Sequence, residues 1–498
     1  MSGELSRRVR DLLGRAHREL PDPAAKEALA GAIGRLDEPL RVAIAGKVKA
    51  GKSTLLNAMV GEELAPTDAG ECTRVVTWYR DGPSYRVLLH LVDGPPEQRP
   101  FDRVSGAIQV DLGRPADQVR QLTVDVPSRR LREHTLIDTP GIASLSTEVS
   151  LRTQMFLAAD SDRVAEADAV VYLLRHMHGS DLRFLESFHG DELARGSPIN
   201  TVGVLSRADE IGDCRLDAME AAGRVATRYQ ADERLRRLCP IVVPVAGLLG
   251  AAAATLREDE FQSLATIAAA GFDDVLELLL TADRFVGTTT SIPVAGPARQ
   301  RLLARLGLFG VRVGVQLIRE GTVRDAGDLA RELSARSGLD RLREVLAAQF
   351  LGRGQVLKAR SALASLDAAV RSQPAGVDTA ALIAEAEEIR AGFHEFVEVR
   401  LLHLLRSGRL PGRPDQLAEM ERLLGGAGGG AAERLGLTAD AVPGRLAVAA
   451  EEALGRWQRL AEHPLSAREL RTAARATVRS CEGLLAGLRQ SGSAAPAG

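Results

Sequence analysis

Arg41-Val42-Ala43-Ile44-Ala45-Gly46-Lys47-Val48-Lys49-Ala50-Gly51-Lys52-Ser53-Thr54-Leu55-Leu56-Asn57-Ala58-Met59 is the stretch on which the reading of this chain turns. An apolar, strand-like run ends at Gly46, a loop with a second glycine follows, and a helix-forming run begins near Thr54. The spacing Gly46-x-x-x-x-Gly51-Lys52-Ser53, in that strand-loop-helix setting, is a phosphate-binding loop. Its glycines let the backbone N–H groups of residues 46 to 54 wrap a β-phosphate. Lys52 neutralises β and γ oxygens, and the Ser53 hydroxyl supplies a ligand to Mg²⁺. Lysine is scarce in this chain, occurring only at positions 26, 47, 49, 52 and 358. Three of those five stand in this one loop.

Outward from the loop, the sequence offers the other parts a nucleotide site needs. Asp138-Thr139-Pro140-Gly141 closes the strand-like HTLIDT, where an acidic residue holds Mg²⁺ through water and the Gly141 N–H meets a γ-phosphate. Between them, the polar loop Pro66 to Arg74 offers Thr73 as a further metal ligand once nucleotide orders it. Ser206-Arg207-Ala208-Asp209 follows the buried run TVGVL. Asp209 there can accept two hydrogen bonds from a guanine edge while Arg207 lies flat over the base. The match is degenerate, so adenine stays open as an alternative base. A last strand, IVVPVAG, brings the backbone of Val245 and Ala246 to the guanine oxygen.

From residue 40 to about 250, apolar strand-like runs alternate with helical patterns, predicting an α/β sheet with helices on both faces. Beyond 250, Leu, Ala, Arg and Glu recur at helical spacing, as in LARELSARSGLDRLREVLAAQF. Residues 1–38 read as a helical segment able to join the later helices in one bundle. The expected division is 1–38 helical, 39–290 nucleotide-binding, 291–490 an elongated all-α bundle, and 491–498 a disordered tail. In the helical half, residues 298–318 pattern as an amphipathic helix, expected buried in the bundle, with an anionic bilayer surface as the alternative for its apolar and Arg-bearing face. Gly412 and Gly425 to Gly430 are candidates for a bundle tip.

Composition narrows the partners. With 64 Lys and Arg against 66 Asp and Glu, the net charge of −2 gives no global basic field, so nucleic acid is not an expected ligand. The four cysteines have no metal-ligand or paired spacing, as expected of free thiols in a reducing, cytoplasmic setting. No apolar run reaches the roughly 18–20 residues that cross a bilayer, so any membrane contact is expected to be peripheral.

With the motifs in this order, residues 40–250 resemble the GTPase domain of dynamin-like proteins. LIDTPGIASLS and VLSRADEIGD, with the helical remainder, are most similar to the actinobacterial isoniazid-inducible branch. The resemblance implies a P-loop GTPase head that hydrolyses GTP to GDP with Mg²⁺. It also implies a neck built from both chain ends, and a trunk whose tip meets an anionic membrane. Heads are expected to pair as a homodimer, or as a hetero-oligomer with a paralogous dynamin-like chain. The alternative is a GTP-switched scaffold for a protein partner. Where dynamins usually carry Gln and Ser in the P-loop, this chain has Val48 and Lys49. The Lys49 ammonium is therefore expected to replace a recruited monovalent cation between the β and γ phosphates. Water orientation then falls to Thr73 and the Gly141 backbone.

Overall fold

The computed structural model describes residues 2–65, 75–104, 107–140, 167–177, 179, 181–186, 200–287, 291–374, 376–426, 428–438 and 440–493. Two helices open the chain, α1 (Ser2–Glu19) and α2 (Pro23–Arg35). Buried Leu5, Val9, Leu12, Leu13 and Ala16 make one stripe of α1. Asp22 starts α2, its carboxylate accepting from the Ala24 and Ala25 N–H groups, with Pro23 pre-set for the first turn.

The head is built on a sheet of β1 (Leu40–Gly46), β2 (Thr77–Asp81), β3 (Arg86–Leu91), β4 (Glu97–Arg99), β7 (Val119–Val126), β8 (His134–Asp138), β9 (Ala169–Leu174), β10 (Thr201–Ser206) and β11 (Val242–Val245). A short hairpin of β5 (Asp102–Val104) and β6 (Ala107–Gln109) stands apart. The sheet order is β11-β10-β9-β1-β8-β2-β7-β3-β4. The strands from β11 to β8 are parallel, and β2 turns against β8. Parallel strands need covering on both faces, and here both are covered. Val42 and Ile44 point into a core with α3 (Lys52–Val60). Ala43, Ala45 and Tyr172 point the other way, into a core with α4 (Ala218–Ala231) and α5 (Glu233–Leu238).

After β11 the chain is helical: α6 (Gly247–Ala254), α7 (Glu258–Ala269), α8 (Phe272–Leu278), α9 (Ala282–Gly287), α10 (Gly296–Arg319), α11 (Ala326–Arg336) and α12 (Leu339–Gln349). These helices belong to the head's packing. Leu249, Leu264, Leu306, Phe309, Leu329 and Leu333 share one core, and Leu342 and Leu346 join the core beneath the sheet. The amphipathic stretch 298–318 is therefore buried, but against α6 and α7 of the head instead of inside the distal bundle. Periodicity marks an apolar face without naming what covers it.

The neck follows as α13 (Gly354–Arg371) and α14 (Ala380–Gly392), which close on α1 and α2 through Leu5, Leu12, Leu29, Leu363, Leu366 and Ile389. Buried Lys358 crosses the neck-head joint, donating to the carbonyls of Leu36 at 2.8 Å and Glu38 at 3.0 Å. The trunk comprises α15 (His394–Arg406), α16 (Pro414–Leu423), α17 (Ala431–Leu435), α18 (Pro443–Glu462) and α19 (Arg468–Ser493), packed around Trp457, Leu402, Met420 and Cys481.

Gly425 and Gly426 are not at a free tip. The carbonyl of Gly426 accepts from Gln349 at 2.7 Å and Arg406 at 2.9 Å, and that of Gly425 accepts from Arg353, tying this loop to the end of the head. Glycine content signals a turn but not which end of a bundle it occupies. Gly412 packs back on Leu417 and Leu470. Leu465, 90% exposed, stands instead in the turn joining α18 to α19. Among the described residues no helix is long and apolar enough to cross a membrane.

Candidate functional site

The parallel strands β1, β8, β9, β10 and β11 deliver their C-terminal ends to one edge of the sheet, where ligands of open α/β sheets bind. Register sets the alignment. Ile44 lies opposite Asp138, Gly46 opposite Leu173, and Ser206 opposite Val245. The loop from Gly46 to Ser53 leaves β1 in the gap between β8 and β9. Gly46, at φ 153°, has no room for a side chain: a Cβ would stand 2.9 Å from the Leu173 carbonyl oxygen. Lys49, at φ 63°, and Gly51, at φ 93°, are left-handed, an alternation that turns successive N–H groups toward a common centre.

The three P-loop lysines have separate surroundings. The Lys52 ammonium stands 3.4 Å from the carbonyl oxygens of Gly46 and Lys47, inside the loop, and burial lowers its pKa despite the nearby Asp138. Lys47 is committed elsewhere, paired at 2.9 Å with Asp181, which also accepts from the buried Tyr172 hydroxyl at 2.8 Å. Lys49 and Val48 are exposed.

Ser53 donates to Asp138 Oδ2 at 3.2 Å. The other oxygen, Oδ1, is buried without a hydrogen-bond partner, and burial raises the carboxyl pKa to about 6. A carboxylate with one orphaned oxygen beside a serine hydroxyl is a hard oxygen donor set, and it fits Mg²⁺. Thr139 locks the strand end by donating through its hydroxyl to the Ile44 carbonyl at 2.9 Å.

Beside the loop lies a cavity of about 160 Å³ lined on one side by Gly51, Thr54 and Leu173, and on the other by Ser206, Arg207, Asp209 and Val245. Asp209 is 7% exposed, and burial, with Glu210 nearby, raises its pKa to about 6. Arg207 adopts φ 52° and pairs with Glu210 at 2.8 Å, with its side chain part-exposed at the rim. Ser206 donates to the Leu174 carbonyl at 3.2 Å, tying the motif to β9. A short carboxylate, a planar cation and an apolar wall at the mouth of a phosphate loop suit a purine carrying N–H donors.

The structure thus brings together the P-loop, Asp138, Ser206, Arg207, Asp209 and Val245. Thr73 and Gly141 lie outside the described residues. Ala246 differs from expectation: its N–H is spent on the Ser337 carbonyl at 2.8 Å, and Gly247 and Leu248 line the cavity in its place. The cause is the left-handed Gly338 corner, which presses so closely on β11 that a Cβ there would stand 2.2 Å from the Pro244 oxygen. Sequence reading also missed the Lys47–Asp181 pair and the placement of Gly307 beside Asp209. The first joins residues 134 apart, and the second depends on α10 folding back on the head.

The dynamin family profile matches residues 42–206, from β1 through the end of β10. Isoniazid-induced protein IniC of Mycobacterium tuberculosis is 42% identical over 457 residues, 91% of each chain. A bacterial dynamin-like protein of Nostoc punctiforme is 26% identical over 216 residues, covering 40% of this chain and 28% of that one. Among solved structures, an oligomerised bacterial dynamin pair described for long-range sensing and tethering of membranes aligns with 97% of this chain and 79% of its own. It does so at 14% identity and a TM-score of 0.34, too low to carry an arrangement across. The match to IniC extends over nine-tenths of both chains, and this chain belongs with it to the dynamin family.

Proposed function

We propose that this protein hydrolyses GTP to GDP and phosphate, and couples head pairing to remodelling or bridging of the cytoplasmic face of a membrane. The observation that carries the reading is the shared sheet edge. The Ser53–Asp138 pair lies at the C-terminal ends of β1 and β8, and the cavity that holds buried Asp209 is lined by Gly51 and Thr54 of the same loop and helix start. Dynamin family membership supports the same chemistry.

In this reading the P-loop amides and Lys52 hold the β and γ phosphates, and phosphate charge keeps the desolvated Lys52 ammonium protonated. Ser53 and Asp138, with Thr73 completing the shell, would hold Mg²⁺, which would supply positive charge to the phosphate oxygens. Asp209 accepts the guanine N1–H and 2-amino hydrogens, and Arg207 covers the base. Lys49, with Lys47 tied to Asp181, supplies positive charge between the β and γ phosphates. With exposed Val48 unable to orient water, Thr73 and the Gly141 N–H take that role, and turnover by a lone head is slow.

For the membrane, the supporting feature is Leu465 at the α18–α19 turn, followed by exposed Arg468, an apolar and cationic pairing suited to anionic lipid. The division at residues 38, 290 and 490 is retained as a functional proposal of neck, head and trunk, with the helices to Gln349 seated on the head. The test is GTP turnover across protein concentration, with and without anionic liposomes, with Lys52→Ala as blank. Activity rising with both variables supports a self-pairing membrane GTPase. Flat, near-zero turnover despite tight GTP binding sinks it in favour of a switched scaffold.

A further inference from the structure

Three residues beyond Asp209 the backbone enters an unusual turn. Gly212, Asp213 and Cys214 are successively left-handed, at φ 67°, 58° and 58°. Glycine takes this conformation freely, but each non-glycine residue in it costs roughly 1–2 kcal/mol. Two such residues in a row persist only where something outside the turn holds them.

What holds them is Arg312 on α10. Its Nη1 donates to the carbonyls of Asp213 and Cys214, each at 2.8 Å. Its Nε and Nη2 donate to the Leu279 carbonyl at 3.0 and 2.8 Å, and Nη2 also reaches the Leu280 carbonyl at 2.9 Å. A guanidinium has five N–H donors, and main-chain carbonyls can occupy all five here. The carbonyls of Leu279 and Leu280, just past α8, carry the partial negative charge of a helix C-terminus, so the cation is well seated.

The same helix touches the base cavity directly. α10 breaks its helical geometry at Gly307, with φ 67° and ψ 171°, five residues before Arg312. A Cβ at Gly307 would lie 3.6 Å from Asp209 Oδ2 and 3.7 Å from Leu248, both of which line the cavity. One helix therefore meets the base-recognition loop twice, at the carboxylate itself through Gly307 and at the strained turn behind it through Arg312.

We propose that Arg312 is a positioning residue for base recognition, clamping the 212–214 turn so that Asp209 faces the base edge and making guanine selectivity depend on where α10 sits. The proposal rests on the reading of this cavity as a guanine site. Asp209 can accept from both N1–H and the 2-amino group of guanine, but inosine lacks the second donor. The ratio of GDP to IDP affinity therefore reads the placement of the carboxylate, separately from phosphate binding and overall folding.

The experiment measures GDP and IDP affinity, by calorimetry on the full chain, for wild type, Arg312→Met and Arg312→Lys. Met keeps the stem and loses every donor, and Lys retains the charge with three donors in place of five. The expected result is a GDP-to-IDP ratio reduced about tenfold in Arg312→Met and partly restored in Arg312→Lys. An unchanged ratio in folded Arg312→Met overturns the proposal and leaves Arg312 a structural staple. Should Arg312→Met fail to fold, Arg312→Lys decides, since a ratio equal to that of wild type overturns the proposal equally. A wild type that does not separate GDP from IDP refutes the guanine reading itself, a failure distinct from that of Arg312 alone.

Discussion

Replacing Asp209 by Asn should move stability and selectivity in opposite directions. Burial raises the Asp209 carboxyl from 3.8 to about 6, so keeping it ionised at pH 7 in the nucleotide-free fold costs about 2 pKa units, or roughly 3 kcal/mol. The sign follows from linkage. A carboxyl whose folded pKa exceeds its unfolded value gives stability that is full below about 3.8 and is lost as pH rises through about 6. The neutral amide of Asn removes that cost, so the nucleotide-free variant should be more stable at pH 7 by up to about 3 kcal/mol, with the gain disappearing near pH 4. Guanine, in contrast, loses a charged acceptor of two hydrogen bonds. At roughly 1.5–3 kcal/mol per bond, GDP affinity should fall by about two to four orders of magnitude. Xanthine carries an acceptor where guanine carries the 2-amino group, so the Asn amide should favour XDP. Thermal unfolding at pH 4 and pH 7, with calorimetric titration of GDP, XDP and ADP, reads both effects. Unchanged GDP affinity would show that Asp209 does not meet the base. Lower stability at pH 7 would refute the desolvation argument.

Four further outcomes are expected. Without Mg²⁺, wild-type GDP affinity should weaken more steeply than that of Asp209→Asn as pH falls below about 6, since in the variant only Asp138 and the terminal phosphate of GDP still titrate there; equal slopes in both would exclude Asp209 as a titrating group. Lys52→Ala should abolish nucleotide binding without lowering the melting temperature, since the buried ammonium is desolvated before phosphate arrives; a large destabilisation on circular dichroism melting would contradict this. Gly338→Ala must relieve both a left-handed φ of 75° and a 2.2 Å approach to Pro244, and should cost about 3 kcal/mol; a wild-type melting temperature would show the corner to be softer than drawn. If Lys49 replaces a monovalent cation, GTP turnover should be the same in K⁺ and Na⁺, and strong K⁺ dependence would reject that role.

The parts legible from sequence are those whose geometry is local. Gly46 to Ser53 dictates its own loop, and Ser206 to Asp209 follows its own strand, so each could be placed without knowing its neighbours. Parallel packing then carried them to one edge. What stayed hidden depends on distant segments arriving. Ala246 loses its donor to Ser337, 91 positions later, and Lys47 is captured by Asp181. Gly307 looks like any helix glycine until α10 lies against Asp209. The seating of α10 to α12 on the head stays hidden for the same reason. Residues 296–349 have the composition of a bundle, and nothing in a helical period says that the covering surface is α6, α7 and β11.

The neck couples distant parts of the chain in time as well as in space. Between Arg35 and Gly354 lie roughly 320 residues, and α1 and α2 find their main helical partner only in α13. At roughly 5–20 residues per second, a ribosome needs about 15–60 seconds to make that partner. Throughout that interval the first helices carry Leu5, Val9, Leu12, Leu29 and Ala32 without their final cover, while the complete head between them is free to fold. Synthesis therefore makes the head available to fold before the neck, whose α1 and α2 can close on α13 only afterwards. A nascent chain stalled before residue 354 should display a finished head with a sticky leader, the kind of species that holding chaperones retain.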